Sequence, residues 1–208
     1  HGHVVTDNRL SRLGRIYAPG AGVFILQSGS NRVAHNEIHD LFYTAISIGW
    51  NWGYEETPCR ANIIEFNHLH DIGQGLLSDM GAVYTLGIQR GSVIRNNLIH
   101  DVRAFTYGGW GLYTDEGSSY ITLENNVVYR CKSAGFHQHY GRENVVRNNI
   151  LAFNTEHQLM RSREEDHISF TFERNIVYFD SGDLLGSNWT NNQYRLDNNV
   201  YFDGRPEA

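Results

Sequence analysis

The chain has 208 residues, enough for one domain with its own core. Seventeen basic residues against 23 acidic leave a net charge of −6, and scattered Lys and Arg on an acidic chain argue against a nucleic-acid partner or an anionic membrane surface. No apolar run reaches the ~18 residues that a membrane-spanning helix needs. With 21 Gly and only three Pro, the composition suits many tight turns between short strands. The two cysteines, Cys59 and Cys131, read as free buried thiols rather than a disulfide framework.

An asparagine followed one or two places later by an aliphatic residue recurs eight times, at Asn8, Asn36, Asn67, Asn97, Asn126, Asn149, Asn175 and Asn199. The intervals of 28, 31, 30, 29, 23, 26 and 24 residues have the period of a solenoid, in which each unit buries its apolar face only against its neighbours. Apolar and polar residues alternate over four to six residues before each Asn, as in Val93-Ile94-Arg95 and Ile121-Thr122-Leu123-Glu124, which is strand periodicity. A second strand starts after the Asn (Ile38, Leu69, Ile99, Val128, Leu151, Val177). A third follows at Ala45–Ile48, Ala82–Thr85, Gly111–Thr114, Gly135–Gln138 and Gln158–Arg161. Like strands recurring in the same sense stack in parallel about 4.8 Å apart. The reading is an all-β, right-handed parallel β-helix over residues 1–208, with seven to eight coils. The recurrent Asn is expected to favour the turn and to bond to its equivalents along the axis. His39-Asp40, His70-Asp71 and His100-Asp101 fall at one repeat position and read as a turn-stabilising ladder. The chain begins at His1, and neither end carries the atypical cap of a finished solenoid. A piece of a longer chain is therefore expected, monomeric or embedded in a larger multidomain protein.

The coils are unequal. From the Asn to the third strand takes nine residues in the short coils, but 15 from Asn67 to Ala82 and 14 from Asn97 to Gly111. In a solenoid such insertions mark one face, often the binding face. The inserts carry Asp79, Tyr107 and Trp110, and a further excursion after Ile48 carries Trp50 and Trp52. Strand alternation puts Tyr113, Asp115, His137 and His139 outward if Leu112 and Phe136 face the core. Tyr84 is the equivalent of Tyr113 one coil earlier, and Arg161 is placed beyond the histidines. The expected result is a groove of carboxylates, imidazoles and aromatic rings suited to a carbohydrate. Asp79 and Asp115 are the candidate catalytic pair, acid and base or nucleophile. Trp50, Trp52, Tyr84, Trp110, Tyr113, Glu116, His137, His139 and Arg161 are the candidate substrate-binding residues, with Glu116 also the reserve carboxylate. One aspartate is expected to have a raised pKa, and His137 or His139 to hydrogen-bond one of the pair. His137 and His139 have metal-like spacing beside Asp115, yet substrate binding is the role assigned to them, and no metal or cofactor is assigned.

The stretches SDMGAVYTLG, YGGWGLYTDEGSS, GFHQHYGRENVVRNNILAF and IGWNWGYE resemble right-handed, pectate-lyase-like β-helix carbohydrate-active proteins of bacteria. More narrowly they resemble glycoside hydrolase family 141, over roughly Asn31 to Val177. The resemblance implies α-L-fucosidase or xylanase activity on plant cell-wall glycans, and two aspartates on neighbouring coils that fall on Asp79 and Asp115. It also implies a secreted or periplasmic enzyme. Members of that family are much longer and carry extra β-rich domains; where those complete the cleft, this stretch alone is inactive. Two other functions fit the same fold. One is a polysaccharide lyase, with Ca²⁺ held by Asp115 and Glu116 and with Arg161 or Arg163 as base. The other is a non-catalytic glycan-binding or structural β-helix.

Overall fold

A computed structural model describes residues 1–206. Among them every regular element is a strand, and the strands form three parallel sheets of eight, eight and seven members. Each sheet takes one strand from every coil, so consecutive strands of a sheet are three apart in chain order. Seven coils are complete and an eighth contributes two strands, Arg195–Asp197 and Val200–Asp203. The expected parallel β-helix is therefore observed.

The first and second sheets are joined in every coil by a two-residue turn. The residue before the ladder Asn, not the Asn itself, takes the left-handed conformation: Asp7, His35, Phe66, Asn96, Asn125, Asn148, Arg174 and Asn198 have φ between 54° and 59°. The Asn side chain points inward and makes the axial bonds. From Asn8 to Asn199, each Asn donates its backbone N–H and its Nδ2 to the Oδ1 of the next, all at 2.9–3.1 Å. From Asn36 onward, Nδ2 also reaches a backbone carbonyl of the preceding coil, such as Asn97 to Ile64. The amide is saturated, which is why a polar residue is tolerated inside the core.

Third-sheet strands alternate through the first six coils. One inward row is Val23, Ile46, Val83, Leu112, Phe136 and Leu159, and a second is Ile25, Ile48, Thr85, Thr114, Gln138 and Arg161. The outward row between them is Phe24, Ser47, Tyr84, Tyr113, His137 and Met160. This corrects the expectation for Arg161. Two residues after the core-facing Leu159, it points inward, is fully buried, and donates to Asn191 Oδ1 at 2.6 Å. It belongs to the packing of the C-terminal coils and not to an outer groove.

The second sheet bends at a further left-handed residue, Asp40, Asp71 and Asp101 in the His-Asp coils. The imidazoles stack along the outside of this sheet, His39 on His70 at 4.8 Å and His70 on His100 at 5.3 Å, with Tyr129 continuing the row at 4.7 Å from His100. His70 and His100 each bond through Nδ1 to the carboxylate of the following Asp, at 2.9 and 2.6 Å. This is the expected ladder. Cys59 and Cys131 are both free and buried.

Candidate functional site

The outer face of the third sheet carries a groove divided into two cavities that share Asp79, Asp115 and Glu116. The first, of about 550 Å³, is walled by Tyr17, Phe24, Tyr43, Trp50, Trp52 and Tyr84. The second, of about 410 Å³, is walled by Tyr107, Trp110, Tyr113, His137, His139 and Met160. Aromatic walls thus flank a central carboxylate cluster on both sides.

Asp115 follows the strand Trp110–Thr114 and is 5% exposed. Its Oδ2 accepts the Tyr84 hydroxyl at 2.6 Å. Asp79 lies in the long turn before the strand Gly81–Thr85, with φ 53°, and its Oδ1 accepts the Tyr113 hydroxyl at 3.1 Å. The Tyr43 hydroxyl holds the Asp79 carbonyl at 3.0 Å. The Tyr84 and Tyr113 rings are themselves packed at 5.0 Å, so the two carboxylates sit on adjacent, touching phenols. Gly108 keeps the turn closed: at φ 100°, a Cβ there would meet the backbone N of Asp79 at 2.9 Å.

Burial raises the Asp115 pKa above the ordinary carboxylate value. The hydroxyls of Tyr84 and Tyr113 oppose that shift, the Asp79 charge adds to it, and His139 opposes it. The phenols move the other way from ionisation: burial and the two aspartates push Tyr43 up to about 12, and Tyr84 and Tyr113 higher still. All three remain hydrogen-bond donors at any working pH. Glu116, set by the turn after Asp115, faces both cavities and accepts the Tyr140 hydroxyl at 3.0 Å.

The histidines differ from expectation in partner. His137 Nε2 and His139 Nδ1 both bond Ser162 Oγ, each at 2.8 Å, rather than an aspartate. Burial together with His139 holds His137 well below its usual pKa, so it is neutral. His137 Nδ1 and Trp110 Nε1 are buried without a protein partner, beside the second cavity. Trp110 opens the strand Trp110–Thr114 rather than sitting in the insert, and it packs against His137 at 4.2 Å and Tyr113 at 4.3 Å. Trp50 and Trp52 form an edge-to-face pair at 4.7 Å and are half exposed at the mouth of the first cavity.

The loop bearing these tryptophans is latched across the groove. Gly53 N–H donates to the Glu116 carbonyl, and Gly117, at φ 74°, lets the two backbones touch, since a Cβ there would lie 2.0 Å from Gly53 O. Tyr54 donates to Glu165 four coils away, and Arg142 lies over its ring at 4.7 Å. Tyr17, Phe24 and Tyr43 were absent from the sequence expectations. Phe24 was legible as the first member of the outward row, because residues 23–25 form the first coil's third strand. Tyr17 lies in a turn with no counterpart elsewhere in the chain. The lyase alternative loses Arg161, which is buried away from the groove. Arg163 remains outside, paired with Glu165 and packed on Tyr140.

A search of curated protein sequences finds no significant match. One solved structure, named "Glycoside hydrolase", superimposes with a TM-score of 0.52 at 20% identity, over 95% of this chain and 26% of that one. The chain thus spans about a quarter of that protein's length, and likeness at this identity is one of fold. The family model described as "Right handed beta helix region" matches residues 16–201. With three parallel sheets wound over seven full turns, the chain belongs to the right-handed β-helix family.

Proposed function

We propose that this chain is the catalytic β-helix of a glycoside hydrolase, with Asp115 as general acid and Asp79 as base or nucleophile. The observation that carries the reading is the shared position of Asp79, Asp115 and Glu116 between two aromatic-walled cavities. A glycan lying along the groove would place a sugar on either side of the carboxylates, with C–H faces against the exposed rings of Trp50, Trp52 and Tyr107. Glycosidic cleavage needs a carboxylic acid to protonate the leaving oxygen and a carboxylate to attack the anomeric carbon or to activate water. Burial raises Asp115, which suits the acid, and Asp79 in the turn beside it is the remaining carboxylate of the pair. The charge of His139 opposes the rise at Asp115, and His137 and Ser162 shape the far wall.

The sequence resemblance to glycoside hydrolase family 141 supports a plant cell-wall glycan, fucosylated or xylan-like, as substrate, and the structural neighbour's name, "Glycoside hydrolase", supports glycosidic cleavage alone. Such a polymer is met outside the cytoplasm, so the protein would be secreted or periplasmic. Hydrolysis by this pair calls for no cofactor. The test is reducing-sugar release and ultraviolet absorbance on a panel of plant and microbial polysaccharides, for the unmodified protein beside Asp79→Asn and Asp115→Asn. Reducing ends without ultraviolet absorbance, lost in both variants, support the reading. Unsaturated absorbing products make it a lyase, and tight glycan binding without turnover, retained in both variants, makes it a binding module. NMR of the first-formed anomer then reports retention or inversion, which follows from a carboxylate separation of about 5–5.5 Å or about 6.5–9.5 Å.

A further inference from the structure

The second sheet carries a separate cluster on its outer face, away from the groove. Its outward positions form two parallel rows. One row reads Arg9, Glu37, His68, Leu98, Val127 and the other Ser11, His39, His70, His100, Tyr129. The His-Asp pair repeats along the second row, but the first row offers Glu37 and His68 in one place only. There, one donor atom from each of Glu37, His68 and His70 lies within 4.8 Å of the other two.

The hydrogen bonds around the cluster determine which ring nitrogens carry protons. His70 Nδ1 lies 2.9 Å from Asp71 Oδ2 and His100 Nδ1 lies 2.6 Å from Asp101 Oδ2, so both rings are protonated at Nδ1. His100 Nε2 is then an acceptor. His68 Nε2, 2.9 Å from it, must be the donor, which leaves the lone pair of His68 on Nδ1. His70 Nε2 is buried without a hydrogen-bond partner and sits 3.5 Å from Glu37 Oε1. Ligands on a tetrahedral ion at metal–ligand lengths of about 2.0–2.1 Å stand roughly 3.3 Å apart, so that gap is close to the edge of such a polyhedron. The carboxylates behind His70 and, through His100, behind His68 are the outer support that metal-bound imidazoles commonly use to set tautomer and orientation. Arg9 binds the other Glu37 oxygen, Oε2, at 3.1 Å, which leaves Oε1 for an ion.

We propose that Glu37, His68 and His70 form a surface site for a zinc-type divalent cation, tying two adjacent coils together outside the core. Two nitrogens and one carboxylate favour Zn²⁺, Ni²⁺, Co²⁺ or Cu²⁺ over Ca²⁺ and Mg²⁺, which want oxygen. The fourth position faces solvent and takes water. The site shares no residue with the groove, so its test is independent of the glycosidase reading.

The chelator-stripped chain is titrated with Zn²⁺ by calorimetry and with Co²⁺ by visible absorption, and its melting temperature is followed with and without Zn²⁺. One equivalent is expected, with the intense d–d band of four-coordinate Co²⁺ and a rise in melting temperature. Glu37→Gln and His70→Gln should each weaken binding at least tenfold, and Asp71→Asn by about 10–100-fold. His3→Gln, which changes an exposed histidine near the N-terminus, should leave it unchanged. Glu37 is substantially exposed, so its replacement tests the site even if loss of a stacked imidazole unfolds the coil. Absence of stoichiometric binding overturns the proposal. So does binding that survives both Glu37→Gln and His70→Gln or disappears with His3→Gln.

Discussion

The turn between the first and second sheets and the turn between the second and third are built on opposite terms. The first has two residues in all eight coils, one left-handed and one Asn, and its hydrogen bonds run along the whole axis. The second has 11 residues in the first coil (12–22), four in the next (42–45), then eight, seven, four, four and three. Only the second can vary, because the first is locked to its neighbours above and below by the Asn ladder. The long members of the variable turn, together with the Trp loop after the third strand, surround the Asp79–Asp115 pair. The invariant edge holds the coils in register, and the variable edge is free to carry chemistry.

Substitutions at the two edges should have different consequences. Asp79→Asn and Asp115→Asn should each lower turnover by about 10²–10⁴-fold, measured on the best substrate of the panel, with the fold intact. Asp115→Asn should also raise the melting temperature at neutral pH. A carboxyl whose folded pKa is raised stabilises the native state fully below its unfolded pKa and loses that contribution as pH rises through the folded value, so removing the charge helps only above that window. A gain that persists at pH 3 would contradict burial as the cause. At the other edge, Asn97→Ala should cost about 3 kcal/mol or more in denaturant unfolding. It strips the acceptor from two buried donors of Asn67, each worth about 1–3 kcal/mol when unpaired. Asn8→Ala, at the exposed end of the same ladder, should cost clearly less; equal losses would mean that burial does not govern the ladder.

Smaller effects refine the groove. Gly117→Ala should open the latch between the Trp loop and the Asp115–Glu116 turn and raise KM roughly tenfold, by loosening the wall that orients the substrate, with only a minor change in kcat. Tyr84→Phe removes a hydroxyl that lowers Asp115, so its pKa should climb further. The limb of the pH–rate profile where activity falls with rising pH should then move to higher pH. Movement toward lower pH would assign that limb to another group. Trp52→Ala, half exposed at the cavity mouth, should change KM several-fold and the melting temperature hardly at all.

Periodicity alone was enough to determine the solenoid, the three strands per coil and the axial Asn ladder, because a residue type repeated in register can satisfy itself only against its own copies. It also put Asp79 and Asp115 on neighbouring coils, since an insertion in an otherwise constant repeat has one edge to occupy. Strand alternation already contained the inward direction of Arg161, two residues after Leu159, where its charge had suggested the groove. Four matters lay outside that local rule. They were the neighbour that takes the left-handed turn, the Ser162 that draws His137 and His139 away from the aspartates, the first-coil turn bringing Tyr17 over the cavity, and the meeting of Glu37 with His68 and His70. Each depends on which side chains from different coils arrive at one point in space. A repeat determines the height and face of every residue along the axis, but distances across irregular turns, and the burial that raises Asp115, are properties of the packed tertiary structure alone.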